Sequence, residues 1–322
     1  VDLGHNENWD FVGNSGNIYY WIGGTGDWGE FTNWSYTSGG PPLTEECTPK
    51  ENNTVIFDDE SFMNYNDTVT LEVPNAFCND MRWIHTTGDY KPTFISGDTN
   101  LLFVYGSIEL HDSLDYQYNG FIHFDEFLGT ANGPDTIYSK GNVFRNDLIM
   151  QGIGDEIVLD DTMRTLADPD VRYAHIILEH GTFDLNEQTI DIAGLLSIYK
   201  NQRAIDISNS LLYFREPESK VWRVDATNFE LDATNSTMYV EALKGVILTL
   251  SGDEPLEYHN IILNKPGDSV VNVYNTTKYN NILANASDNV VTSVFTDENG
   301  NTGQGDFIAN NIFFNGRNNL LW

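Results

Sequence analysis

The stretch DENGNTGQGD, Asp297 to Asp306, places oxygen-bearing side chains at alternate positions: Asp297, Asn299 and Asn301. Alternating carboxylate and amide oxygens are the first half of a calcium loop, where they surround a hard cation. The glycine comes one place late for a helix–loop–helix calcium site, and no Glu stands at the twelfth position. A solvated hairpin tip is therefore the plainer expectation. Asp58-Asp59-Glu60 is a second, weaker oxygen cluster. A structural calcium ion is the one cofactor these residue types suggest.

Other chemistry is poorly represented. The seven His include no H-x-x-x-H pair, the spacing that puts two imidazoles on one helix face toward a metal. There is no Gly-rich phosphate loop and no G-x-S-x-G elbow. Polysaccharide lyases and hydrolases need clustered carboxylates, usually with a Lys or Arg beside them. With 48 acids in the chain, pairs such as Asp160/Asp161 carry little information, and the eight Arg are scattered. The expectation is a protein without catalysis. Carbohydrate binding or cleavage is the alternative.

The elements that would carry such groups are short strands. From His175 to Phe214, apolar residues pair at i and i+2: Ile176/Leu178, Phe183/Leu185, Ile190/Ile192, Leu196/Ile198, Ile205/Ile207 and Leu212/Phe214. Period two places both members of a pair on one strand face. The pairs start 7, 7, 6, 9 and 7 residues apart, closer than the strands of an ordinary sandwich. Three such strands sum to about 21 residues, one triangular coil of a parallel β-helix. The segments HNII (259–262), NNIL (280–283) and NNIF (310–313) repeat the same length. Asn260 to Asn281 is 21 residues, and Asn281 to Asn311 is 30, of which residues 297–305 make a nine-residue loop. Asn260, Asn281 and Asn311 are thus expected on equivalent turns of successive coils, forming a side-chain ladder. The fold expected is all-β, a right-handed parallel β-helix, with lateral loops near 159–172, 214–223 and 297–305. The first of these has a weak helical pattern.

Bulk composition agrees. The chain has 322 residues, 40% of them hydrophobic, enough for a sizeable core. Its 36 Asn and 27 Gly call for many tight turns. The net charge of −32 repels nucleic acid and anionic membrane, both of which need Lys and Arg. No apolar run approaches the 18 residues of a spanning helix. The chain begins at Val1 without a Met and reads as a mature or excised piece of a longer product. The two cysteines, Cys47 and Cys78, are either buried thiols or one disulfide. The bond would close a loop of about 30 residues and contribute roughly 3 kcal/mol.

A solenoid exposes an apolar cross-section at each end and must be capped. YYWIGGTGDWGEFTNWS, Tyr19 to Ser35, fits that task. Trp21, Trp28 and Trp34 can cover the core while Gly23, Gly24 and Gly26 let the backbone fold over it. The alternative is an aromatic platform for sugar. Residues 1–17 read as a linker or the tail of a preceding module, 18–83 as cap and first coils, and 84–322 as the β-helix.

The order of motifs in 18–83 resembles the opening of modules in large surface adhesins of the Bacteroidota, cargo of the type IX secretion system. The carrying residues are Trp-x-Gly-Gly-x-Gly-x-Trp, Asn-Trp-Ser, a Cys-x-Pro ahead of Val-x-Phe-Asp, and a second Cys ahead of Asn-Asp-Met-x-Trp. The resemblance implies an extracellular, cell-surface location and an oxidised Cys47–Cys78 pair. The family's link to attachment and cell contact suggests an adhesive role but supplies no ligand; the partner expected of such a module is a glycan or protein of another cell or substratum. Neighbouring modules of the same polypeptide are further partners, and a homo-oligomer is compatible with it.

Overall fold

The computed structural model describes residues 17–45, 47–84, 90–126, 133–250, 252, 255–272, 276–296, 302–304 and 306–321. Short strands stack in parallel, in register, to build a three-sided solenoid. The first side begins with Trp34–Ser35, antiparallel to Ile18–Trp21, and then runs upward in parallel from Thr54–Phe57 to Phe229–Asp232. The second side runs from Asn75–Cys78 to Leu320–Leu321. The third is a four-stranded sheet starting at Gly26–Asp27, followed by an eight-stranded one ending at Phe307–Phe314.

The alternation of residue types produces this arrangement. Ile176, Leu178, Phe183, Leu185, Ile190 and Ile192 all point inward and are buried. Each stacks on its counterpart one coil away, as Phe183 does on Ile205 and Ile190 on Leu212. One hydrophobic cluster runs without a break from Tyr19 to Val291, so the cap and the coils share a core across residue 83. Strand spacing of about 4.8 Å sets the coil repeat.

Turns explain much of the Asn and Asp content. Asn186, Asn209, Asn228 and Asn235 adopt φ between 47° and 58°, the left-handed region that Asn tolerates. Asp184, Asp206 and Asp232 stack in register. Each carboxylate accepts a backbone N–H two residues on, from Asn186, Ser208 and Thr234. These acids stabilise corners.

Three expectations are corrected. In the fourth apolar pair Leu195 and Ser197 are the buried residues, while Leu196 faces out and Ile198 is exposed. Segment 159–172 contains no helix. Met163–Thr165 is a strand of the third side, and the lateral excursion is an antiparallel hairpin of Ala167–Asp168 with Arg172–Tyr173. Finally, Asn260, Asn281 and Asn311 lie inside eight-residue strands, Leu256–Leu263, Thr277–Ala284 and Phe307–Phe314, and not on turns. His259 and Asn260 both face outward between inward Tyr258 and Ile261. The strand bends there, and its first half takes over the side that the first sheet leaves at Asp232.

Candidate functional site

The N-terminal aromatic segment is interior. Trp21, Trp28 and Trp34 are at most 1% exposed. Trp34 sits centrally, edge-on to Trp21 and Trp28 with centroids 5.1 and 5.0 Å away. The indole N–H groups of Trp21 and Trp34 donate to backbone, Trp21 to the Gly24 carbonyl at 3.0 Å and Trp34 to the Trp28 carbonyl at 2.8 Å. Gly24 has φ +56° and lies against Asp67. Gly23 and Gly26 close on Asn33, whose amide a Cβ at either position would strike. No ring face of these tryptophans is presented to solvent, so none is a sugar platform.

The cysteines are not bonded to each other. Cys47 is exposed and free, while Cys78 is free and buried. Cys78 is an inward member of Asn75–Cys78, stacked on Val104, so its sulfur points into the core while Cys47 lies outside. Burial pushes the Cys78 thiol far above its ordinary range, which makes it inert. A thiol reagent is expected to modify one cysteine at once and the second only on unfolding. Two slow thiols, or none after unfolding without reductant, would contradict this.

Asp297, Asn299 and Asn301 lie outside the described residues. Among the described residues no group of three or more His, Cys, Asp or Glu is placed to hold a metal. Asp58 accepts the N–H of Glu60 and the Ser61 hydroxyl. Asp161 accepts the N–H groups of Ser139 and Lys140. On the first side, a hollow of about 400 Å³ gathers Asp80, Arg82, Glu109, Tyr138 and Asp160. Three of its four charges are engaged with neighbours: Arg82 with Glu109 at 3.0 Å, and Asp80 with the Ser107 N–H and the Thr54 hydroxyl.

The most organised surface is the amide array on the bent strands. Asn281 donates to Asn260 at 2.7 Å, and Asn311 to Asn281 at 2.8 Å. Two flanking rows escaped the sequence reading. Asn280 bonds the His259 ring at 3.0 Å, and Asn310 donates to Asn280 at 3.2 Å. On the far side Asn264 donates to Glu241, Asn285 to Asn264, and Asn315 to Asn285 at 2.6 to 2.9 Å. The signal was present, since residues 264, 285 and 315 repeat the 21- and 30-residue steps. Where the first sheet ends, between Phe229–Asp232 and the bent strands, a groove of about 660 Å³ opens. No family model, curated protein or solved structure matches this chain.

Buried ionisable groups give the fold a pH dependence. His175 is wedged between Asp147 (3.3 Å) and Glu216 (2.7 Å), one on each ring nitrogen. Burial by itself lowers its pKa, but the two carboxylates outweigh that and raise it. Burial pushes Asp135 up to about 7, helped by Asp155 and Asp80, and Asp155 up to about 6, helped by Glu126 and Asp125. Burial also lifts Asp268 to about 7 against the Lys265 and Gly245 N–H donors. All four groups hold a proton more tightly folded than unfolded, so stability falls as pH rises. The His175 contribution is full below its ordinary value of 6.5 and is lost through its raised folded value. For the acids the loss runs from 3.8 to about 7. The melting temperature is expected to decline from pH 5 to pH 8, less steeply in His175→Gln. A flat or rising profile would reject the assignment.

Proposed function

We propose that this chain is a non-enzymatic module of an extracellular cell-surface protein, a stiff solenoid that serves attachment to another cell or substratum. The observation that supports the reading is the continuous main core, from Tyr19 to Val291, with its closed tryptophan end. Such a body is a rigid spacer with a long, regular flank. The acids lend support in the same direction: those of the corners accept backbone N–H groups, an arrangement that stabilises turns rather than holding an acid–base pair over a substrate. The opening motifs resemble those of Bacteroidota adhesins, and a type IX secretion origin belongs to this proposal.

The test is direct. Beads carrying the 322-residue chain should adhere to bacterial cells or to polysaccharide-coated glass above a blocked-bead control. Soluble chain incubated with the same polysaccharides should release no new reducing ends. Adhesion absent on every surface, or steady release of reducing ends, would overturn the reading.

A further inference from the structure

We infer that the groove where the first sheet ends is a binding site for a neutral polyhydroxylated chain, an oligosaccharide lying along the solenoid axis. The inference rests on the attachment role proposed above and names its contact. The groove's volume, about 660 Å³, is within the range of small-molecule pockets, about 300–1,000 Å³.

Its lining favours hydroxyl groups. One wall presents the carboxylates Glu230 and Asp232, and the facing wall presents the row His259, Asn280 and Asn310. A side-chain amide has two N–H donors and two acceptor lone pairs. Within the row, Asn280 gives one N–H to His259 and one lone pair to Asn310. One donor and one acceptor remain on that amide for a ligand. The row climbs by one coil, about 4.8 Å, per residue. An extended chain of rings would therefore meet a side-chain amide at two successive steps, Asn280 and Asn310. A hydroxyl both donates and accepts, which matches amides and carboxylates side by side.

Charge narrows the ligand further. Lys278 is ion-paired with Glu257 in the same groove, so among the described lining residues no lysine or arginine is left over to hold an acid sugar. Glu230, Asp232 and the net charge of −32 repel one. Ile308, about half exposed at the end of the groove, offers an apolar surface for the C–H face of a ring.

The array also supplies its own control. Asn285 occupies the same place in the far row that Asn280 does in the groove row, between Asn264 and Asn315, and it does not line the groove. Asn280→Ala and Asn285→Ala each remove one ladder rung and should lose similar stability. Binding should be measured by calorimetry with neutral hexasaccharides (gluco-, manno- and N-acetylglucosamine types), with hexagalacturonate and with a Lys-rich peptide. At least one neutral hexasaccharide is expected to bind, about tenfold or more weakly to Asn280→Ala, and unchanged to Asn285→Ala. The inference is overturned if no neutral hexasaccharide binds at millimolar concentration, if both variants weaken equally, or if the acidic sugar or the peptide binds better. Bead adhesion separates the two failures. Beads of Asn280→Ala that adhere like the parent's keep the attachment role and remove the groove from it. Parent beads that never adhere remove the role itself.

Discussion

Trp34→Ala is expected to destabilise the fold by about 3–5 kcal/mol, the usual cost of truncating a buried large aromatic. Trp34 is fully buried and packs on Tyr19, Trp21, Trp28 and Phe57 at once. Its removal opens a void beneath the neighbouring rings and frees the Trp28 carbonyl from its N–H donor. The location amplifies the loss. Trp34–Ser35 pairs antiparallel with Ile18–Trp21 and covers that strand's outer edge. A loosened cap exposes parallel strand edges, which template pairing with other chains. A denaturant melt should show the lower midpoint, and light scattering should show association the parent lacks. Trp34→Phe keeps most of the ring volume and should recover over half of the loss. An Ala variant that melts like the parent would return these tryptophans to the surface role of a sugar platform.

The solenoid could be read from the chain because its signal is redundant. Inward apolar pairs recur from coil to coil, so Phe183/Leu185 and Ile205/Ile207 each report a register the other confirms. The ladder at Asn260, Asn281 and Asn311 was visible because polar residues recur at coil length beside apolar ones. The bend has a signal of its own, two successive polar residues, His259-Asn260, that break period two, but adjacent polar residues also mark a turn, and a turn is what their spacing suggested. Where the alternation blurs, the reading slips. In Ala193-Gly194-Leu195-Leu196 small and apolar residues run together, and a one-residue shift turns every side chain to the other face. Pairing across the coil is harder still. Nothing local says that Cys78 points into the core while Cys47 lies outside it, because that depends on how the 47–53 segment runs over the first coils. The groove was beyond reach for a related reason. It exists only because one sheet stops at Asp232 while its neighbours continue, and the end of a sheet leaves no pattern in the strand that ends it.

Arg203 was the largest omission, and its position contained the clue. Residues 203, 205 and 207 share one face of the chain, so a strand that buries Ile205 also turns Arg203 inward. It is 1% exposed. The guanidinium donates to five acceptors at the corner between the second and first sides. Nε reaches the Asn201 carbonyl at 3.0 Å, one terminal nitrogen the Ser197 carbonyl and hydroxyl at 2.7 Å each, and the other the Asp225 and Thr227 carbonyls at 2.9 and 2.7 Å. The group also lies over the Phe229 ring, 5.2 Å from its centroid. Burial lowers its pKa, and the charge of Asp225 works against that shift. Five N–H donors in a planar fork fit this ring of acceptors, and no other side chain supplies them.

Arg203→Met should therefore cost about 3–5 kcal/mol, the scale for breaking a buried charged network by removing one partner. The carbonyls it leaves behind are shielded from water and have no replacement donor. Arg203→Lys retains the charge but offers three donors from a point, and it should recover less than half of the loss. High salt should change neither figure, because screening acts weakly on buried groups. Denaturant melts of the three proteins at low salt and at about 1 M salt decide the matter. A Met variant within about 0.5 kcal/mol of the parent, the range of an ordinary surface substitution, would show that packing alone holds this corner. The guanidinium would then be a passenger in a pocket that any long side chain can fill.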